Sequence, residues 1–167
     1  FVYSLLYNMT IILKNKDTLI VNNFKLKCCI GRGGLNNNKF EGDGSTPKGK
    51  FNLGKLYWRS DRVQKPVTNL LSKKIKKNSA WCTDSKSKYY NKEFKINKKV
   101  KHEKLFRNDY KYDYLIVIKY NYNKVIKNKG SAIFIHLTKN YKKTAGCIAL
   151  KKKDFLVLTK IINKKSK

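Results

Sequence analysis

At 167 residues, with 41% hydrophobic and 13% aromatic residues, the chain is long enough to bury a core and too apolar to be disordered. Forty Lys and Arg against ten Asp and Glu leave a net charge of +30. The excess is overwhelmingly Lys, spread along the chain among abundant Asn, Ile and Tyr as in an AT-rich genome. Arg, the better reader of phosphates and bases, is scarce, so no specific nucleic-acid partner is expected. Attraction to an anionic cell-wall polymer is equally compatible with this charge.

In chain order, residues 1–8 read as an N-terminal extension or the remnant of a leader, because Met9 is the only methionine and stands just before a strand-like run. They lack a basic start and a small-residue cleavage site, so no clear signal peptide is legible. No stretch is long enough to span a bilayer. TIIL at 10–13 and TLIVNNFKLKCCIG at 18–31 alternate as a hairpin. GRGG at 31–34 marks a turn, and the polar EGDGSTPKGKFNLG at 41–54 closes on a short strand, KFNLG. Residues 62–79 read as loop with a short helix. YLIVIKYN at 114–121 and SAIFIHL at 131–137 are buried strands. In DFLVLTKIINK, Phe155, Leu158, Ile161 and Ile162 have the spacing of one helix face. The sum is a mainly β chain with one or two small helices and no internal repeat.

Chemistry concentrates in IHLTKNYKKTAGCIAL, which begins at Ile135. A thiol near neutrality is mostly protonated and needs a base, for which His is the natural choice. His136 lies on the strand IFIHL, and Cys147 follows eleven residues later, after a loop long enough to fold back beside the strand end. Gly146 permits close backbone approach, and the amides of Gly146 and Cys147 are candidate oxyanion donors. A protonated His136 within reach would lower the thiol pKa. The bland alternative is a core histidine and a buried thiol. Burial is also the reading for Cys28, Cys29 and Cys82, whose spacing suggests neither a disulfide framework nor zinc. Trp58 and Trp81 read as core or groove wall.

The residues around the pair resemble the L,D-transpeptidase family of the YkuD type. The resemblance rests on Thr144-Ala145-Gly146-Cys147-Ile148 with His136 upstream, on STPKGKF at 45–51, and on GRGGL, KFEGDGSTPKG, HEKLFRNDYKYD, NKGSAIFIH and TAGCIAL in order. It implies one catalytic domain over residues 9–167 with a β-sandwich of mixed sheets. The implied activity is acyl transfer on peptidoglycan stem peptides in cell-wall biogenesis. Cys147 would attack a tetrapeptide stem, D-Ala would leave, and an amine acceptor would resolve the thioester as a 3→3 cross-link, with His136 as base and then acid. Water as acceptor would make an L,D-carboxypeptidase; a basic binding module with an inactive site is the remaining alternative. The family implies a periplasmic or cell-envelope location; a monomer without cofactor or metal is expected.

Two departures from the family pattern stand out. Ala145 occupies the place of a second His, and Ala149 and Leu150 follow Ile148 where many members carry Arg or Asn. The anchor for a substrate carboxylate is therefore open among Arg32, Arg59, Arg62 and Arg107. Thr144, Ala145, Arg107, His102, Glu103 and Ser131 are the substrate-binding candidates. His102, Glu103, Asp109 and Asp113 match no metal spacing and are expected to form a hydrogen-bonded network bracing the site. Glu41 and Asp43 could face a substrate amine or serve as turn residues.

Overall fold

The computed structural model describes residues 9–96 and 99–167; the expected extension at 1–8 lies outside the described residues. In chain order the strands are β1 (Ile11–Lys14), β2 (Thr18–Val21), β3 (Phe24–Cys29), β4 (Leu35–Asn36), β5 (Thr46–Pro47), β6 (Leu53–Trp58), β7 (Ser72–Lys74), β8 (Ser79–Cys82), β9 (Glu93–Lys95), β10 (His102–Lys104), β11 (Tyr114–Ile118), β12 (Phe134–Leu137) and β13 (Ile148–Leu150). One helix, α1 (Lys152–Ile161), closes the series.

Eight strands form one mixed sheet in the order β1-β2-β3-β13-β12-β11-β6-β7. Its pairs are antiparallel except β12 with β13 and β6 with β7, which run parallel. A three-stranded antiparallel sheet, β10-β8-β9, and a two-stranded parallel pair, β4-β5, complete it.

Side-chain alternation along the central strands builds a core on each face of the large sheet. Ile116, Ile135 and Leu150 point to one face, where Phe155 and Leu158 of α1 pack on them. Leu115, Val117 and Phe134 point to the other, where Trp81 of the three-stranded sheet and Tyr112 cover them. This is the expected β-sandwich of mixed sheets, with a single helix among the described residues. α1 buries Phe155 and Leu158 as its periodicity requires, and Asp154 in its first turn and Lys160 in its last complement the helix dipole.

Two local expectations change. Residues 62–79 contain no helix; they carry β7, which pairs with β6. The strand expected at KFNLG starts only at Leu53 and runs on to Trp58. Thr46 and Pro47 are themselves extended, paired with Leu35 and Asn36. Both tryptophans are buried, as are all four cysteines, none of them in a disulfide.

Candidate active site

The parallel register of β12 and β13 sets Ile135 opposite Ile148 and His136 opposite Ala149. Cys147 immediately precedes β13, so it falls beside Phe134. The Phe134 amide donates to the Cys147 Sγ at 3.3 Å, and the thiol donates to the Ala132 carbonyl at 3.3 Å. His136 lies two residues along β12 from Phe134 and therefore on the same face. Its ring meets Tyr112 edge-on with centroids 5.4 Å apart, and Tyr112 meets Phe134 at 5.9 Å. The thiol and the imidazole thus share one buried pocket wall; among the described residues they exchange no direct hydrogen bond.

Both groups rest neutral. Burial pushes the Cys147 thiol up to about 12, against the Phe134 amide bond, which lowers it. Burial takes the His136 imidazole down to about 4. The expectation of a thiolate held by His⁺ does not describe this buried arrangement, because desolvation penalises both charged forms. His136 Nδ1 lies 3.0 Å from the Leu137 carbonyl. A carbonyl only accepts, so Nδ1 carries the proton and Nε2 keeps the basic lone pair.

The turn that presents Cys147 is tied from both sides. The Thr144 hydroxyl donates to the Cys147 carbonyl at 2.5 Å and accepts the Gly146 amide at 3.1 Å. Of the two expected oxyanion donors, the Gly146 amide is therefore already engaged. Gly146 has φ of 142°, and a Cβ there would lie 2.8 Å from the Ser45 carbonyl oxygen. The Gly146 carbonyl accepts from the Thr46 hydroxyl at 2.7 Å, which in turn accepts the Gly31 amide at 2.9 Å. Gly31 bridges Thr144 as well. STPKGKF and GRGGL, distant in sequence, thus meet at the Cys147 turn. Ala145 is exposed at its tip.

The acceptor of the thiol proton is itself in an unusual conformation. Ala132 has φ of +54°, a left-handed setting that costs a residue with a Cβ roughly 1–3 kcal/mol. Asn91 holds it there: its Oδ1 accepts the Ala132 amide at 3.0 Å and the Trp81 indole N–H at 2.9 Å. Neighbouring Ser131 is buried and donates to Glu41 at 2.7 Å. Glu41 also accepts from the Tyr90 hydroxyl, which takes the Gly130 amide at 3.0 Å. Asp43 is occupied too, by the Lys39 ammonium at 2.5 Å and by the Ser45 amide and hydroxyl at 2.9 and 2.6 Å. Burial opposes its ionisation, yet these bonds hold its carboxyl well below the usual range. Both acids therefore brace loops around the pocket.

Strand alternation in β10 separates His102 from Glu103. Glu103 pairs with Trp81 and faces the pocket, where it accepts the Tyr112 hydroxyl at 3.1 Å and the Arg107 guanidinium at 3.1 Å. His102 pairs with Cys82, packs edge-on against Phe94 at 5.8 Å, and meets the Val100 carbonyl with Nδ1 at 2.6 Å. Glu103, Arg107 and Ser131 thus gather around the Cys147 pocket, and His102 faces the opposite side of its small sheet. Sequence reasoning missed Tyr112, Asn91, Lys39 and Ala132. Tyr112, Lys39 and Ala132 lay within quoted motifs without a role, and Asn91 lay outside them; none carries a spacing signal, because their importance arises from long-range contacts.

Among the described residues no three His, Cys, Asp or Glu side chains converge as a metal site, and no helix is long and apolar enough to cross a membrane. No curated protein and no solved structure matches the chain. The sequence model of the YkuD L,D-transpeptidase catalytic domain matches residues 7–167, and the chain belongs to that family.

Proposed function

We propose that the protein is a peptidoglycan L,D-transpeptidase with Cys147 as nucleophile and His136 as general base. The observation that carries this reading is the convergence of the thiol and a neutral imidazole on one face of the β12–β13 pair, beneath a turn clamped by Thr46. The family implies a peptidoglycan substrate and is typically associated with the cell envelope.

In the proposed reaction His136 Nε2 takes the thiol proton as Sγ attacks the carbonyl of the third stem residue, so the high resting pKa of Cys147 is overcome only when substrate is bound. The tetrahedral oxyanion draws on the Cys147 amide. Collapse expels D-Ala, which receives the proton from His136, and leaves a thioester. The amine of a second stem attacks the thioester, gives its proton to His136, and forms the 3→3 cross-link as the thiol is regenerated. Ser131, Thr144 and Ala145 line the approach to Cys147. Glu103 and Arg107 supply a polar wall beside Tyr112, and His102 braces the small sheet from behind.

The test is mass spectrometry of muropeptides incubated with purified protein. Cross-linked dimers with loss of D-Ala are expected from the wild type and from Cys28→Ala, Cys29→Ala and Cys82→Ala, and none from Cys147→Ala. Trimmed tripeptides without dimers would make the protein a carboxypeptidase. Unaltered muropeptides would end the enzymatic reading in favour of a binding module.

A further inference from the structure

The chain has four arginines, and three are committed to internal partners. Arg59 forks onto Asp61 with two bonds of 2.8 Å, reaches the Arg107 carbonyl at 2.5 Å, and lies 3.5 Å over the Phe106 ring. Arg62 pairs with Asp113 at 3.3 Å and donates to the Asn108 and Asp109 carbonyls, each at 3.1 Å. Arg107 forks onto Asp109 at 3.0 and 2.6 Å and reaches Glu103. A ligand carboxylate at any of these would have to displace an existing anion or a set of carbonyls.

Arg32 differs in every respect. Its side chain is exposed, and among the described residues its guanidinium has no carboxylate, carbonyl or ring partner. Its backbone is nonetheless anchored. Its backbone amide donates to the Thr144 carbonyl at 2.9 Å, at the start of the Cys147 turn. Its side chain runs along bare backbone at Gly44, where an added Cβ would lie 3.1–3.2 Å from its Cγ, Nε and Cζ. Gly31, next to it, lies so close to Gly146 that a Cβ would approach the Gly146 Cα at 2.9 Å. A planar cation with its donors unfilled thus lies beside the turn that presents Cys147.

We infer that Arg32 binds the free C-terminal carboxylate of the acyl donor peptide. This rests on the proposed acyl transfer and adds a specificity determinant to it. The departing residue is a single amino acid, so its carboxylate lies one residue from the carbonyl under attack, close to the Cys147 turn. A guanidinium meets a carboxylate with two parallel bonds, which fixes orientation as well as charge, whereas a lysine offers a point charge. Arg32 would therefore select donors that end in an acid one residue beyond the scissile bond.

The experiment compares two tetrapeptide stem donors, one with a free C-terminal carboxylate and one with a carboxamide, on the wild type, Arg32→Gln and Arg32→Lys. The wild type should prefer the acid. Arg32→Gln should lose roughly 10–100-fold in kcat/KM on the acid and change little on the amide, so that the preference collapses. Arg32→Lys should fall between. Because Arg32 is exposed, the variants should keep the wild-type thermal midpoint. An equal loss on both donors, or no loss on either, with an active wild type would overturn the assignment and leave the transpeptidase reading standing. A wild type inactive on both donors would remove that reading and this inference together.

Discussion

Thr46 joins the Cys147 turn to the rest of the sheet through one hydroxyl. It donates to the Gly146 carbonyl at 2.7 Å and accepts the Gly31 amide at 2.9 Å, in a fully buried setting one hundred residues from Gly146 in sequence. Replacing it with Val keeps the shape and strands both backbone groups without a partner. An unsatisfied buried group costs on the order of 1–3 kcal/mol. Thr46→Val should therefore unfold at lower urea and lose turnover, and Thr46→Ser should recover most of both. Wild-type stability and rate in the Val variant would show that the clamp is dispensable.

Gly146→Ala should be worse than a typical turn substitution. The new Cβ would sit 2.8 Å from the Ser45 carbonyl oxygen at a φ of 142°, so strain and collision act together. Backbone strain of this kind costs roughly 1–3 kcal/mol before any clash is counted. We expect a lower melting temperature and a loss of activity, because the turn must shift and carry Cys147 with it. A variant that melts and turns over like the wild type would contradict this geometry.

The neutral burial of His136 sets a pH window for stability. Its folded pKa is depressed to about 4 from an ordinary 6.5. Between these values the unfolded chain binds the proton and the folded chain does not, so stability rises with pH. The contribution is complete above 6.5 and is lost as pH falls through 4, on the order of 3 kcal/mol in all. Urea midpoints measured from pH 7 to pH 4 should decline for the wild type and flatten in His136→Gln. Parallel declines in the two proteins would locate the acid sensitivity elsewhere.

Alkylation reads the resting thiol directly. With its pKa near 12, Cys147 should react with iodoacetamide at pH 7–8 more slowly than free cysteine does. Peptide mapping by mass would follow the labelled site. Labelling faster than free cysteine, and slowed by His136→Ala, would reveal a preformed thiolate–imidazolium pair instead.

The thiol mechanism needs no metal, so turnover should survive exhaustive chelation with EDTA. Loss of activity with recovery on adding zinc would move the chemistry toward His102 and the neighbouring carboxylates.

What the sequence shows of this molecule follows the range of the interactions involved. Tyr114–Ile118 and Phe134–Leu137 were legible because buried central strands are nearly continuous apolar runs, and α1 was legible from Phe155 and Leu158 at helical spacing. The small sheet was not. Its strands are three or four residues long, and two of them carry a charged residue at either end or beside it, so β8, β9 and β10 are held by pairing with each other and by Trp81 against Phe134. The Cys147 motif, with His136 upstream, was visible as a pair at short spacing. The neutral state of both groups was not, because it depends on a pocket closed by Tyr112, Trp81 and Phe134 from three separate segments.

The parallel pairing of β12 and β13 also separates two demands on the connection between them. The positions of Phe134, His136 and Cys147 are set by sheet register, and the turn from Thr144 to Cys147 by Thr46. Lys139, Asn140, Lys142 and Lys143, by contrast, are exposed. Side chains at that tip can therefore change without touching the register that places the thiol and the imidazole, whereas its backbone is tied down where the Lys142 carbonyl accepts the Cys29 thiol and the Tyr141 amide donates to Thr138.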